Sequence, residues 1–270
     1  MEVPGGSFTR FGRLDRLELH HGRYASLGFP KHTHDEYVIG LNYVGLETVW
    51  LDGKTFEVPP GLITTYNPGE VQSSTCCTPG GWEFKSLYVD TATVNWALAD
   101  QASSGSHWLI ERPLIADPDL LGLLQRLDPR DLSDNAAGQR DLAVEFIGRL
   151  FGRHSKAGVL RQIDIAHPRL RRAVDYIHDH LAETIPLEAL ARTSELSPYH
   201  LIRACRRATG FPPHQYQLQL RIHRAKALLR AGEKIADIAI ELGFVDQGHL
   251  HRNFRRIVGV TPGQYRRGCA

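Results

Sequence analysis

The tightest constraint on this chain's fold is a pattern that occurs twice between residues 186 and 256: a short helix, a turn and a basic helix. In the second copy Ile235, Ile238, Ala239 and Leu242 have the spacing of one buried helical face. Gly243 stands where a helix takes a left-handed stop, and Asp246 where the next helix needs an N-cap. Leu250, Phe254 and Ile257 then stripe one side of a second helix, leaving Gln247, His251, Arg252 and Arg255 on its other sides. The first copy runs from Pro186 to Arg192, turns at Glu195-Leu196, and restarts with Ser197 as N-cap and Pro198 at N1. Its second helix, Tyr199 to Arg207, is stopped by Gly210. A long helix from Pro213 to Leu229 is predicted between the copies, about 25 Å at 1.5 Å per residue. A further amphipathic helix, from Pro168 to Leu181 with Leu170, Val174 and Ile177 on one side, precedes them. Paired units of this kind lay side chains into successive major grooves of DNA, about 34 Å apart.

Charge agrees. The chain carries 32 Lys+Arg and 30 Asp+Glu over 270 residues, a net of +2. Split at residue 165, the later part holds 17 basic against 9 acidic residues and the earlier part 15 against 21. A basic surface suits phosphate, and an acidic one suits a domain that stays off DNA.

The run Gly243-Phe244, Asp246-Gln247, His249-Leu250, Arg252, Phe254, Gly259, Thr261-Pro262 and Tyr265-Arg266 resembles the AraC family of bacterial transcription regulators. Leu250 departs from it, since an aromatic residue is commoner there. The resemblance covers about residues 165–270 and implies a seven-helix domain with two helix-turn-helix units. It implies base readers at Tyr199, Ile202 and Arg203 in the first unit and at Gln247, Gly248, His251 and Arg252 in the second. Arginine suits the O6/N7 edge of guanine and glutamine the edge of adenine. Arg206, Arg207, Arg255 and Arg256 are expected on phosphates, which position without specifying. His200 and His249 are expected to pack or to touch phosphate.

The earlier part is a second domain, as a length of 270 residues already suggests at roughly 100–200 per domain. Strands are predicted at 37–43, 47–51, 62–66 and 83–89, and Asp52-Gly53 is a hairpin signal. This pattern reads as a small antiparallel barrel or jelly roll. His32, His34 and Glu36, two apart, would share one face of a strand. Together with Pro59-Pro60-Gly61 and Pro68-Gly69-Glu70 they resemble the cupin sensor domain that many AraC-type regulators carry. Glu36 comes early for a metal-binding cupin, and Thr64 and Gln72 stand where its last histidine would. Three readings of the histidines stay open: a pocket for an organic effector, a structural role, and a metal site. For an effector the candidates are His32, His34, Glu36, Tyr43, Trp50, Tyr66, Gln72 and Trp82.

Residues 91–164 read as helical, with a leucine-rich run at 119–127 and a wide apolar arc at 140–151. The arc either joins two subunits, as the resemblance implies, or covers the barrel. Residues 128–135 read as a polar loop. Cys76, Cys77, Cys205 and Cys269 form neither a disulfide framework nor a zinc spacing, and a thiol sensor at Cys76-Cys77 is a minor alternative. No 18-residue apolar run and no signal segment is present, so a cytoplasmic bacterial protein is expected. The predicted organisation is a cupin-like β-barrel with trailing helices over 1–152, a linker over 153–164, and an all-α double helix-turn-helix domain over 165–270. The function that follows is a sequence-specific regulator, leaning to activator, without catalytic residues or cofactor. Its partners are double-stranded DNA, a small-molecule effector, a second copy of the chain and RNA polymerase. The alternatives are a metal-dependent cupin enzyme or metal sensor fused to a DNA-binding domain, and a regulator without a small ligand.

Overall fold

The computed structural model describes residues 8–14, 17–25, 27–76, 78–98, 107–128, 136–158, 165 and 167–269. The chain divides between residues 161 and 162 into two compact units. The first begins with strands β1 (Phe8–Leu14), β2 (Leu17–Tyr24), β3 (Leu27–His32), β4 (Tyr37–Val44), β5 (Glu47–Leu51), β6 (Lys54–Val58), β7 (Ile63–Tyr66), β8 (Gln72–Cys76) and β9 (Trp82–Val89). It continues through α1 (Thr91–Ala97), β10 (His107–Ile110), β11 (Leu114–Ile115), α2 (Pro118–Arg126), α3 (Ala136–His154) and β12 (Ser155–Gly158). One antiparallel sheet has the order β1-β2-β9-β4-β7-β11, a second β3-β8-β5-β6, and β10 pairs with β12. Between β5 and β6, Asp52 (φ 43°) and Gly53 (φ 96°) both take the left-handed backbone that the two-residue turn demands.

The two main sheets pack face to face. Val38 and Tyr66 from the first meet Val49, Leu51 and Val58 from the second, and Tyr24, Trp82 and Phe84 meet Phe29 and Cys76. Alternate residues of the six-stranded sheet point the other way. There Leu17, Leu19, Tyr37, Ile39, Leu41, Ile63, Leu87 and Val89 pack under α1, α2 and α3. Fully burying a side chain such as Phe146, Ile147 or Leu150 contributes roughly 1.5–3 kcal/mol. The apolar arc of α3 therefore faces the sheet, which is the covering role rather than the subunit-joining one.

Several expectations change. Residues 91–164 also contain strands, and the expected linker begins too early. Arg153 and His154 end α3, and Ser155–Gly158 pairs with His107–Ile110. Ser155-Lys156-Ala157-Gly158 has no strand signature of its own, so its partner decides its state. Residues 129–135 of the predicted loop, 159–164 of the predicted linker, and Cys77 lie outside the described residues.

Side chains tie the covering layer down. Lys85, buried on the helix side, donates to the carbonyls of Leu124, Gln125 and Leu127 at the end of α2, where a cation also suits the helix dipole. The Asn67 amide pairs in both directions with the Ile110 backbone (3.0 and 2.9 Å), and Tyr37 Oη donates to Trp108 O at 2.5 Å.

The second unit consists of α4 (Pro168–Asp179), α5 (Leu187–Ser194), α6 (Pro198–Thr209), α7 (Pro213–Arg230), α8 (Ile235–Glu241), α9 (Gln247–Val258) and α10 (Pro262–Cys269). Six of these seven described helices overlap those predicted from the residues, and α10 completes the number that the resemblance implies. Helix α4 ends at Asp179 rather than Leu181, and Pro186 serves as the N-cap of α5 rather than its first residue.

Candidate DNA interface and effector site

Helices α6 and α9 are built alike. Ser197 Oγ accepts from His200 N at 3.3 Å, and Asp246 Oδ1 accepts from His249 N at 2.5 Å. Gly210 (φ 85°) and Gly259 (φ 86°) close the two helices in left-handed caps. At one constant offset in numbering, Leu201, Cys205 and Thr209 of α6 match Leu250, Phe254 and Val258 of α9, and Arg203, Arg206 and Arg207 match Arg252, Arg255 and Arg256. Leu201, Cys205 and Thr209 are buried, as are Leu250, Phe254 and Ile257. All six arginines are exposed.

Each helix enters through a left-handed turn. In the first unit this falls on Glu195 (φ 52°), whose carboxylate lies 3.3 Å from Arg172. In the second it falls on Gly243 (φ 67°). A Cβ there would stand 1.6 Å from the Ala182 carbonyl oxygen, so only glycine fits.

Most predicted readers are accessible. Tyr199 and Arg203 stand together, with Arg203 Nη1 donating to Tyr199 Oη at 3.2 Å and the guanidinium 5.5 Å from the ring centre. Gln247, Gly248 and Arg252 are exposed, and His251 is half-buried. Arg252 lies close over Gly248: a Cβ on that glycine would meet Arg252 Nη1 at 3.4 Å. Ile202 differs from expectation. It is half-buried and lines a cavity of about 220 Å³ with Leu187, Leu190 and Pro213, because its place on α6 turns it towards α5 and α7. His200 caps locally, its Nδ1 2.8 Å from Ser197 Oγ, and the His249 ring packs 5.5 Å from Phe244.

In the first unit the space between the sheets is strongly polar. Glu18, His20, His32, Glu36, Glu47, Thr64 and Gln72 are all buried, and Tyr24, Tyr66, Ser74, Ser86 and Tyr88 share their side of the strands by register. The His32 and His34 rings are 4.7 Å apart, and His34 lies 5.3 Å from Tyr88. These histidines do not share a strand face as predicted. His32 ends β3 and His34 sits in the connection to β4, so it is the turn that brings them together. Gln72 pairs with His32 on one side and Leu51 on the other. Trp82 is 2% exposed among Phe29 and Phe84, and its indole nitrogen has no hydrogen-bond partner.

Burial pushes the Glu47 carboxyl up to about 7, opposed by a hydrogen bond with Ser74, and lowers His20 to about 3. The Tyr88 phenol is raised first by burial and then by the charges of Glu18 and Glu36.

Two predicted pocket residues lie elsewhere. Tyr43 is on the helix side of β4, its ring 5.6 Å from both His21 and the Lys85 ammonium. Trp50 is on the outer face of β5, with Lys31 Nζ 3.3 Å from its ring centre. The residues missed were Glu18, His20, Tyr24, Glu47 and Tyr88. Their signal was a polar residue at alternate positions of runs that are otherwise apolar. Among the described residues, no group of three or more His, Cys, Asp or Glu side chains is placed to hold a metal ion.

Comparison with known proteins matches each half separately. The AraC-like ligand binding domain matches residues 16–140, and a helix-turn-helix domain matches residues 190–268. The chain is 26% identical over 247 residues to the uncharacterized HTH-type transcriptional regulator YbfI of Bacillus subtilis (strain 168), covering 90% of each. It is 25% identical over 254 residues to the HTH-type transcriptional activator RhaS of Enterobacter sp. (strain 638), covering 91% of this chain and 90% of that one. The fold is similar to that of ToxT from Vibrio cholerae O395, with a TM-score of 0.52 at 12% identity over 98% of both chains. With two sheets enclosing a polar interior, two helix-turn-helix units whose second helices are capped alike, and family matches over both parts, the chain belongs to the AraC family: it is a DNA-binding transcription regulator with a ligand-binding domain.

Proposed function

We propose that the regulator is a cytoplasmic activator, governed by a small organic effector held between the sheets of the first unit. In this reading Arg203, Tyr199, Gln247, His251 and Arg252 face base edges, and Arg206, Arg207, Arg255 and Arg256 hold phosphates. The effector domain runs to residue 158, six residues beyond the end first expected for it, and the DNA-binding domain starts at 165 as expected. The name of the relative RhaS supports the lean to activation. An activator of this kind acts as a homodimer and works on RNA polymerase.

One observation carries the effector reading. Glu47, Thr64, Gln72 and the unpartnered Trp82 indole are buried where a purely structural sandwich would place aliphatic side chains. A buried polar group left without a partner costs about 1–3 kcal/mol, so a bound polar molecule offsets what the fold gives up.

The test is a thermal-shift screen of the full chain against neutral sugars, amines, carboxylic acids and divalent metal ions. A ligand at 100 times its Kd adds about 2.7 kcal/mol. The expected result is an organic hit whose shift is diminished in Gln72→Ala. A shift from metal ions alone, or from no compound at all, would count against the proposal.

A further inference from the structure

Two hydrogen-bonding side chains one turn apart on α7, Gln217 and Arg221, converge on the backbone where the two helix-turn-helix units meet. Gln217 Nε2 donates to the carbonyls of His180, Leu181 and Glu183 at 3.3, 3.0 and 2.9 Å. This is the loop between α4 and α5, the entry to the first unit. Arg221 reaches the same loop, with Nε on Leu181 O at 2.7 Å and Nη2 on Glu183 O at 2.9 Å. Its remaining arm, Nη1, donates to Gly243 O at 2.8 Å, in the turn of the second unit. The two backbones touch there, since the Gly243 Cα approaches Ala182 so closely that no side chain fits between them. The Phe244 ring adds a further contact, 5.7 Å from the guanidinium.

We infer that Arg221 is a positioning residue for DNA recognition, a clasp that fixes the phase of α6 against α9. The chemistry is particular to arginine. Carbonyls past the ends of α4 and α8 have no partner within their own helices, and a cation near helix C-termini is favoured. A planar guanidinium offers five N–H donors in fixed directions, enough to serve three carbonyls on two segments at once, whereas a lysine ammonium is a single point. Burial lowers the pKa of Arg221, yet a guanidinium remains charged in proteins.

The consequence for DNA is geometric. If the clasp makes one body of the two units, the operator must present both subsites at one spacing. One added base pair shifts a subsite by about 3.4 Å and turns it around the helix axis. Without the clasp the units are joined by α7 and by the apposed Gly243 and Ala182 backbones with no side chain bridging the two turns, and each can adjust more freely to its own groove.

The experiment selects a preferred site from random DNA with the full-length protein. Affinity is then measured for that site and for versions with one base pair added or removed between the two subsites. Wild type should lose about tenfold on either altered spacing. Arg221→Met should bind the parent site more weakly while its ratio of parent to altered spacing falls below threefold. Arg221→Lys, the milder change, should fall between the two. Circular dichroism and the thermal midpoint show which variants retain the fold, and only folded variants are compared. A wild-type protein indifferent to spacing would overturn the inference on its own. So would a folded Arg221→Met or Arg221→Lys variant that keeps the wild-type ratio while losing overall affinity, the outcome expected of a residue that only adds stability.

Discussion

Arg252 and Arg255 are one turn apart on α9, both exposed, and chemically identical, so their roles are separated only by where they point. On the assignment above, Arg252→Ala costs roughly 1–3 kcal/mol on the selected site and relaxes preference at one base pair. Arg255→Ala weakens all sequences alike and lowers the salt slope by about one. Binding measured on the selected site, on single-base variants and over a range of salt separates the two, and equal uniform losses would sink the assignment. Inside the sandwich, Glu47 and His20 give opposite pH dependences. Between pH 4.5 and about 7 the folded state keeps the Glu47 proton that the unfolded chain releases, so stability falls as pH rises. Between about 3 and 6.5 the unfolded chain binds a proton that buried His20 refuses, so stability rises with pH. His21, also lowered, acts in the same sense as His20. The slopes oppose each other from pH 4.5 to 6.5. Glu47→Gln should unmask the rising one and stabilise the protein by about 3 kcal/mol above pH 7. Denaturant unfolding at pH 5, 6.5 and 8 checks this, and a Glu47→Gln curve parallel to wild type would refute it.

Elements were legible in the sequence in proportion to how local their causes are. The caps at Ser197, Asp246, Gly210 and Gly243 act within a turn or two, and they placed α6, α8 and α9 to within a residue or so. Strand β12 has no such local cause, because Ser155–Gly158 is a strand only through β10. The assignments of Tyr43 and Trp50 to the pocket failed for another reason. Period-2 alternation sorts side chains into two faces but does not say which face is the interior: both faces of the six-stranded sheet that holds Tyr43 are buried, and Trp50 stands on the outer face of the four-stranded one. Two of the glycines that follow helices of the second unit make a controlled pair at this scale. Gly232 (φ 87°) has open space around its missing Cβ, whereas Gly243 faces the Ala182 carbonyl. Gly232→Ala should cost about 1 kcal/mol, for the left-handed backbone alone. Gly243→Ala should cost roughly 3 kcal/mol or more, because the backbone itself must move. Thermal unfolding of the two variants side by side decides, and equal losses would mean the close approach carries no strain. Lys85→Met, which strips three carbonyls at the end of α2 of their donor, should cost about 2–4 kcal/mol by the same measurement.

At the scale of the whole molecule, the division into two domains and the nature of the second were readable because the helix-turn-helix pattern is long, repeated and basic. The chemistry of the first was only half readable, since Glu18 and His20 lie in a stretch whose polar residues look like a solvated surface until that face is buried between the two sheets. A homodimer carries four reading helices, so light scattering of the full chain on a doubled site should give two chains per DNA, and one chain would count against the dimer. The two helix-turn-helix units of a single chain follow one another in sequence, and they are not copies. Where α6 presents Tyr199 beside Arg203, α9 presents the bare backbone of Gly248 beside Arg252, and Ile202 is matched by His251. A reader of this kind has no symmetry of its own, so each site it occupies has a left and a right. Reversing the site leaves every contact intact and turns the bound protein end for end relative to the gene, so orientation becomes part of the address.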